Sequence, residues 1–133
     1  MPEPLTEDEL AYLVSVLDLA RSGRTNELVA AIEAGVPANL TGGTGDTLLI
    51  LAAYHDHPET VEALLAAGAD PERVNDRGQT ALGAAVFRRS TRAVRSLLAA
   101  GADPSTGERS ALAVARFFAL ADMLTLLEGA VPE

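Results

Sequence analysis

The octapeptide LLAAGADP occurs twice, at Leu64 to Pro71 and at Leu97 to Pro104, displaced by 33 residues. A chain that repeats itself at such an interval is built from copies of one supersecondary unit. Each copy leaves open an apolar face that only a neighbouring copy covers. The same beat runs outside the octapeptide: Gly45, Thr47 and Leu49 return as Gly78, Thr80 and Leu82, and Gly35 precedes Gly68 by the same interval. The last unit breaks step. Ser110 follows Thr80 by 30 residues, so the loop ahead of it is three residues shorter.

Inside each unit the signals are helical. Thr6 followed by Glu9 forms a capping-box pattern, with Glu7 and Asp8 placed to complement the positive end of a helix dipole. A first helix therefore runs to about Arg21, and after a polar break a second spans about Asn26 to Ala34, stopped by Gly35. The plan recurs from Thr47 to about His55 with Pro58 to Ala67, and from Thr80 to about Arg88 with Thr91 to Ala100. A final pair is expected over about Ser110 to Gly129. Between pairs, the segments from Gly35 to Asp46, Gly68 to Gln79 and Gly101 to Arg109 hold turn residues and should project as a row of loops or short hairpins.

The apolar positions of the units superpose. Leu49, Ala52 and Ala53 match Leu82, Ala85 and Val86, while Val61, Leu64 and Leu65 match Val94, Leu97 and Leu98. In the last pair these rows receive Arg116 and Glu128. An unpaired buried charge is costly, so no further unit is expected to cover that side, and Val131 to Glu133 should have nothing to pack on.

At these residues the chain resembles ankyrin-repeat proteins. The units GDTLLILAAYHDHPETVEALLAAGADP and GQTALGAAVFRRSTRAVRSLLAAGADP follow the family pattern of G-x-T-P-L-H, Ala-Ala, Gly-His, a Val-rich helix and G-A-D. The resemblance implies an all-α solenoid of four helix pairs with hairpin-like finger loops, strongest in the two central units. Residues 1–133 would form a single domain: an N-terminal capping repeat at 6–39, repeats at 40–72 and 73–105, and a C-terminal capping repeat at 106–130. Two departures matter. The Pro and His of T-P-L-H are replaced by Leu48 and Ile50, then by Ala81 and Gly83, and of the Gly-His pair only His57 survives. The family ties neighbouring units together through that His and Thr. Ile50 therefore either leaves a gap in the network or fills a rebuilt core, and stability should rest more on apolar stacking.

Composition narrows the function classes. Ten basic against 19 acidic residues give a net charge of −9, which disfavours nucleic acid and anionic lipid as partners. It points to a basic or mixed surface on a protein partner. All the basic residues are Arg. Without Cys there is neither a disulfide framework nor a thiolate metal site. The opening MPEPLTEDEL is acidic where a secretory signal is basic, and no apolar run is long enough for a membrane span, so a cytoplasmic monomer is expected.

Catalytic constellations are thin. His55-x-His57 places two imidazoles at a helix junction, where they point apart with no third ligand near in sequence, so structural roles are favoured over metal. The glycine-rich run from Thr41 to Thr47 lacks the Lys of a phosphate loop and follows no strand of a βαβ unit. Neither an enzyme nor a cofactor is expected.

A binding face is better signposted. The resemblance places the residues after the Ala-Ala pair on the concave face: Tyr54 and His55, Phe87 and Arg88, Phe117 and Phe118. Tyr54, Phe87 and Phe117 recur at one position in a chain with two Tyr and three Phe. Exposed, they would anchor an interface with Arg beside them; the alternative is that they wedge between units as core. The variable finger positions of the family correspond to Thr44, Asp46, Asp76, Arg77, Gln79 and Arg109. The expected function is a protein–protein interaction module acting as scaffold or regulator. The alternatives are a stoichiometric inhibitor or immunity-type protein of one enzyme or toxin, and a chaperone-like accessory protein.

Overall fold

Hydroxyl residues start the helices that form the inner row. The Thr6 hydroxyl accepts from the Glu9 N–H at 3.0 Å, and the Glu9 carboxylate accepts from the Thr6 N–H at 3.1 Å, which completes the capping box. Thr47, Thr80 and Ser110 each accept from the backbone N–H three residues on, at 3.0, 3.0 and 3.1 Å. Each cap satisfies a donor that the helix itself leaves unpaired. These starts yield α1 (Glu7–Arg21), α3 (Leu48–Tyr54), α5 (Ala81–Phe87) and α7 (Ala111–Phe117). An outer row holds α2 (Thr25–Glu33), α4 (Pro58–Ala66), α6 (Thr91–Ala99) and α8 (Ala121–Ala130). The structure is a computed structural model and describes residues 4–130, so the expectation about Val131 to Glu133 concerns residues outside those described.

The turn joining the two rows has one geometry in every unit. Asp56, Arg89 and Ala119 take φ of 62°, 56° and 54°, and Gly23 stands at the same place with φ of 68°. Only glycine fits the first turn, because a Cβ at Gly23 would lie 2.5 Å from the His57 ring. That close approach lets His57 Nε2 donate to the Arg21 carbonyl at 2.8 Å, linking the first two units.

Within each row, helices stack on their counterparts: α3 lies between α1 and α5, and α7 lies on α5; α4 lies between α2 and α6, and α8 lies on α6. The expected stacking residues are the core. Leu49, Ala52, Ala53, Leu82, Ala85 and Val86 are buried, as are Val61, Leu64, Val94 and Leu97, whereas Leu65 and Leu98 are half-buried. Each fully buried leucine contributes on the order of 2 kcal/mol by leaving water. Every residue of α3 from Leu48 to Ala53 is buried, but in α7 only Ala111 and Ala115 are. Arg116 and Glu128 are exposed, so the stack ends there. Ile50, at 2% exposure, belongs to the core and not to a hydrogen-bonding position.

The other end differs. The 15 residues of α1 are about twice the 7 of α3, and its first two turns project past the stack with Leu10, Tyr12 and Val14 exposed. The fingers are held by isolated bridges, Thr41 with Thr47 and Gln79 with Arg109, and not by extended strands among the described residues. No helix among the described residues is long and apolar enough to cross a membrane.

Candidate functional site

The inner face is lined by the last residues of α3, α5 and α7 and by the fingers that lead into those helices. Because the helices share one register, Tyr54, Phe87 and Phe117 fall at the same place in each. Tyr54 and Phe87 stack with ring centroids 6.2 Å apart and planes 10° apart. The next ring in the ladder is Phe118, not Phe117. Its centroid lies 5.6 Å from that of Phe87, edge to face. Phe118 is the C-terminal cap of α7, so its side chain leaves the helix toward Phe87, while Phe117 leans on Phe118 at 4.9 Å from outside. The rings are not wedged into core. Tyr54 is 38% exposed, Phe87 45%, Phe118 50% and Phe117 83%.

Arg88 crosses this ladder. Its guanidinium lies 5.4 Å from the Tyr54 ring centroid and 5.9 Å from that of Phe87, and its Nε donates to the Tyr54 carbonyl. Such a cation over an aromatic face is held electrostatically without losing its capacity for a carboxylate. His55 sits edge-on to Tyr54. Burial pushes its imidazole below the usual value, and the neighbouring Arg88, His57 and Arg21 push the same way, with Asp46 opposing.

The finger residues divide into structural and exposed ones. At the centre is Asn75, which sequence reasoning did not single out. Its buried amide donates to Asp46 at 2.7 Å and to the Gln79 side chain at 2.9 Å, and its oxygen accepts from the N–H groups of Arg77 and Gln79. An Asn four residues ahead of Gln79 in a turn segment was the available signal. Asp46 is correspondingly spoken for: its side chain is 14% exposed, it accepts from Thr44 at 2.9 Å, and Arg77 stands 3.8 Å away. The Asp76 N–H donates to the Thr44 carbonyl at 3.1 Å, joining successive fingers, while the Asp76 side chain is exposed. The Arg109 N–H donates to the Gly78 carbonyl at 2.9 Å.

Thr44, Asp76, Arg77 and Arg109 thus face solvent at the rim, whereas Asp46 and Gln79 form the base that holds them. Between α5, α7 and the last two fingers lies a groove of about 190 Å³. Gly83, Ala84 and Val114 line its floor; Phe87 and Phe118 form its walls, and Arg109 stands at its edge. A Cβ at Gly83 would meet the Arg109 carbonyl at 3.0 Å, so glycine there lets the finger close on α5.

Stacked helix pairs with a row of fingers over exposed rings define a repeat protein of the α-solenoid class. The particular family follows from the sequence: a profile of ankyrin repeats, three copies, matches residues 17–108, and the chain belongs to that family. A stretch of 61 residues is 43% identical to a Pseudomonas aeruginosa protein named for ankyrin repeats. The match covers 45% of this chain and 36% of that protein, so the chain accounts for little more than a third of its relative's length. Ankyrin repeats are protein–protein interaction modules.

Proposed function

We propose that this chain binds a protein partner through its inner face and fingers and acts by occupancy, as a scaffold or regulator and not as an enzyme. The division into two full repeats, 40–72 and 73–105, between capping repeats at 6–39 and 106–130 accompanies that reading. The exposed ring ladder of Tyr54, Phe87 and Phe118 with Arg88 across it carries the proposal. Aromatic and Arg side chains are the residue types that dominate interface energetics, and monomeric surfaces seldom leave them grouped without use. The finger joint built on Asn75 holds the face in place before a partner arrives, which lowers the ordering cost of docking.

Affinity isolation from the native host, followed by titration of the recovered partner against Phe87→Ala and Arg88→Ala, tests the reading. Both variants are expected to fold, and each should weaken binding by about 2 kcal/mol. Two folded variants that bind the partner at full strength would remove the inner face from the interaction.

A further inference from the structure

The inner face gathers four of the ten arginines of an acidic chain and leaves two of them outside any ion pair among the described residues. The chain has a net charge of −9, yet Arg21, Arg77, Arg88 and Arg109 border the ladder and its adjoining hollows. Arg21 pairs with Asp18 and Arg77 reaches Asp46, while Arg88 and Arg109 make no ion pair among the described residues. Against these four arginines stand Asp18, in the pair with Arg21, and three acids of the fingers. Asp46 is engaged by Asn75 and Thr44, and Asp76 and Glu108 stand exposed on the fingers. The proton affinity of His55 is depressed first by burial and then by Arg88, His57 and Arg21, with Asp46 opposing.

The groove itself is small. Its volume of about 190 Å³ falls below the roughly 300–1,000 Å³ of small-molecule sites and suits a single side chain. Gly83, Ala84 and Val114 offer that side chain an apolar floor, and the cations stand beside it, not within it.

We propose that the groove binds an acidic peptide segment of a protein partner, with one aromatic or aliphatic side chain seated on Gly83, Ala84 and Val114 beside the Phe87 and Phe118 rings and flanking carboxylates paired with Arg88 and Arg109. This rests on the inner-face binding proposed above and names the chemistry of its ligand. Guanidinium forks match carboxylates in two parallel hydrogen bonds, and the exposed rings beside them offer apolar contact to the seated side chain. A basic or mixed partner surface is what the net charge alone favours. Net charge governs approach at long range, whereas the groups in the groove govern seating.

Three labelled heptapeptides test this by fluorescence polarisation: Glu-Asp-Glu-Phe-Glu-Asp-Glu, the same with Lys for every acid, and the same with Ala for Phe. The acidic Phe peptide should bind the full chain, move the ring signals of Phe87 and Phe118 in NMR spectra, and weaken as salt is raised. Binding should fall by about tenfold on Arg109→Ala and on replacement of the peptide Phe. An acidic peptide held equally well by the Arg88→Ala and Arg109→Ala variants would overturn the proposal.

A Lys peptide that binds as tightly and moves the same rings would also overturn the acidic chemistry while leaving inner-face binding intact. If neither peptide moves the rings, the proposal falls; a native partner that still moves them keeps the broader reading. Ring signals that shift when the protein alone is concentrated would assign the groove to the acidic first turns of α1 in a second copy, and so rule against a separate partner.

Discussion

The back and front of the solenoid use the same residue, arginine, in opposite ways. On the back, Arg92 of α6 forks Glu62 of α4 with two contacts of 2.7 Å, and Arg89 reaches Asp122 at 3.2 Å. Both pairs cross from one unit to the next. The Thr25 and Thr60 hydroxyls, 2.8 Å apart, join the first two outer helices in the same manner. On the front, Arg88 also crosses between units, but it rests on rings and a carbonyl, and Arg109 has no acid beside it in an ion pair among the described residues. The back thus engages Arg92 and Arg89 with acids of neighbouring units, bridging the stack at its surface. The front keeps its cations and rings available, which is what a binding surface requires.

Truncations that probe each side should separate stability from binding. Leu97→Ala, at a fully buried position of α6, is expected to cost about 3 kcal/mol in a denaturant melt through the cavity it leaves. Phe87→Ala, at a ring already half in water, should cost only about 1 kcal/mol of stability. If the two losses were equal, the ladder would be core and the front would not be an open face.

Asn75→Ala falls between these extremes, because it strands the partners of a buried amide. We expect a loss of about 2 kcal/mol, with faster hydrogen exchange at Arg77 and Gln79, whose N–H groups it holds. Unchanged exchange there would mean that the backbone bridges alone order the fingers.

Smaller effects concern charge. His55 should titrate below the usual imidazole range in an NMR pH series, and Arg88→Ala should move its midpoint upward by removing one of the cations that hold it down. The sign for stability follows: with a depressed folded value, the unfolded chain binds the proton more readily, so stability declines as pH falls through the His range. That decline should be shallower in Arg88→Ala. A midpoint that ignores the substitution would separate Arg88 from the field at His55.

Smallest of all should be the change in thermal midpoint on Arg92→Ala. Its pair with Glu62 is solvent-exposed, although the guanidinium hydrogen bonds hold the Glu62 carboxyl below the usual carboxylate range. The effect should shrink further in high salt, and a large salt-independent loss would show that the back pairs do more than adjust the stack.

Much of this was legible in the chain, because helix stacking is written in period and composition. The spacing of LLAAGADP set the unit, the hydroxyl caps set the inner helix starts, and Arg116 and Glu128 marked the end of the stack. Each is a local rule or a comparison of equivalent positions along the chain, and both are read without knowledge of which side chains touch. Which of two arginines on α6 finds an acid was not legible in this way: Arg92 pairs with Glu62 of the neighbouring unit, whereas Arg95 makes no ion pair among the described residues.

What the sequence did not determine is where side chains go once units lie side by side. The register of Tyr54, Phe87 and Phe117 was correct, yet Phe118 completes the ladder, because a cap residue leaves its helix in a direction that only the next unit makes meaningful. Asn75 needed Asp46, 29 residues away, to become the joint of the fingers. Ile50 was ambiguous until the packing around α3 closed over it. The sequence by itself determined the repeat, its helices and its ends, since those depend on interactions within a turn or two. Only the tertiary structure decided which rings touch, which acids are consumed and which cations stay free, since those depend on distances between residues about 30 apart in the chain.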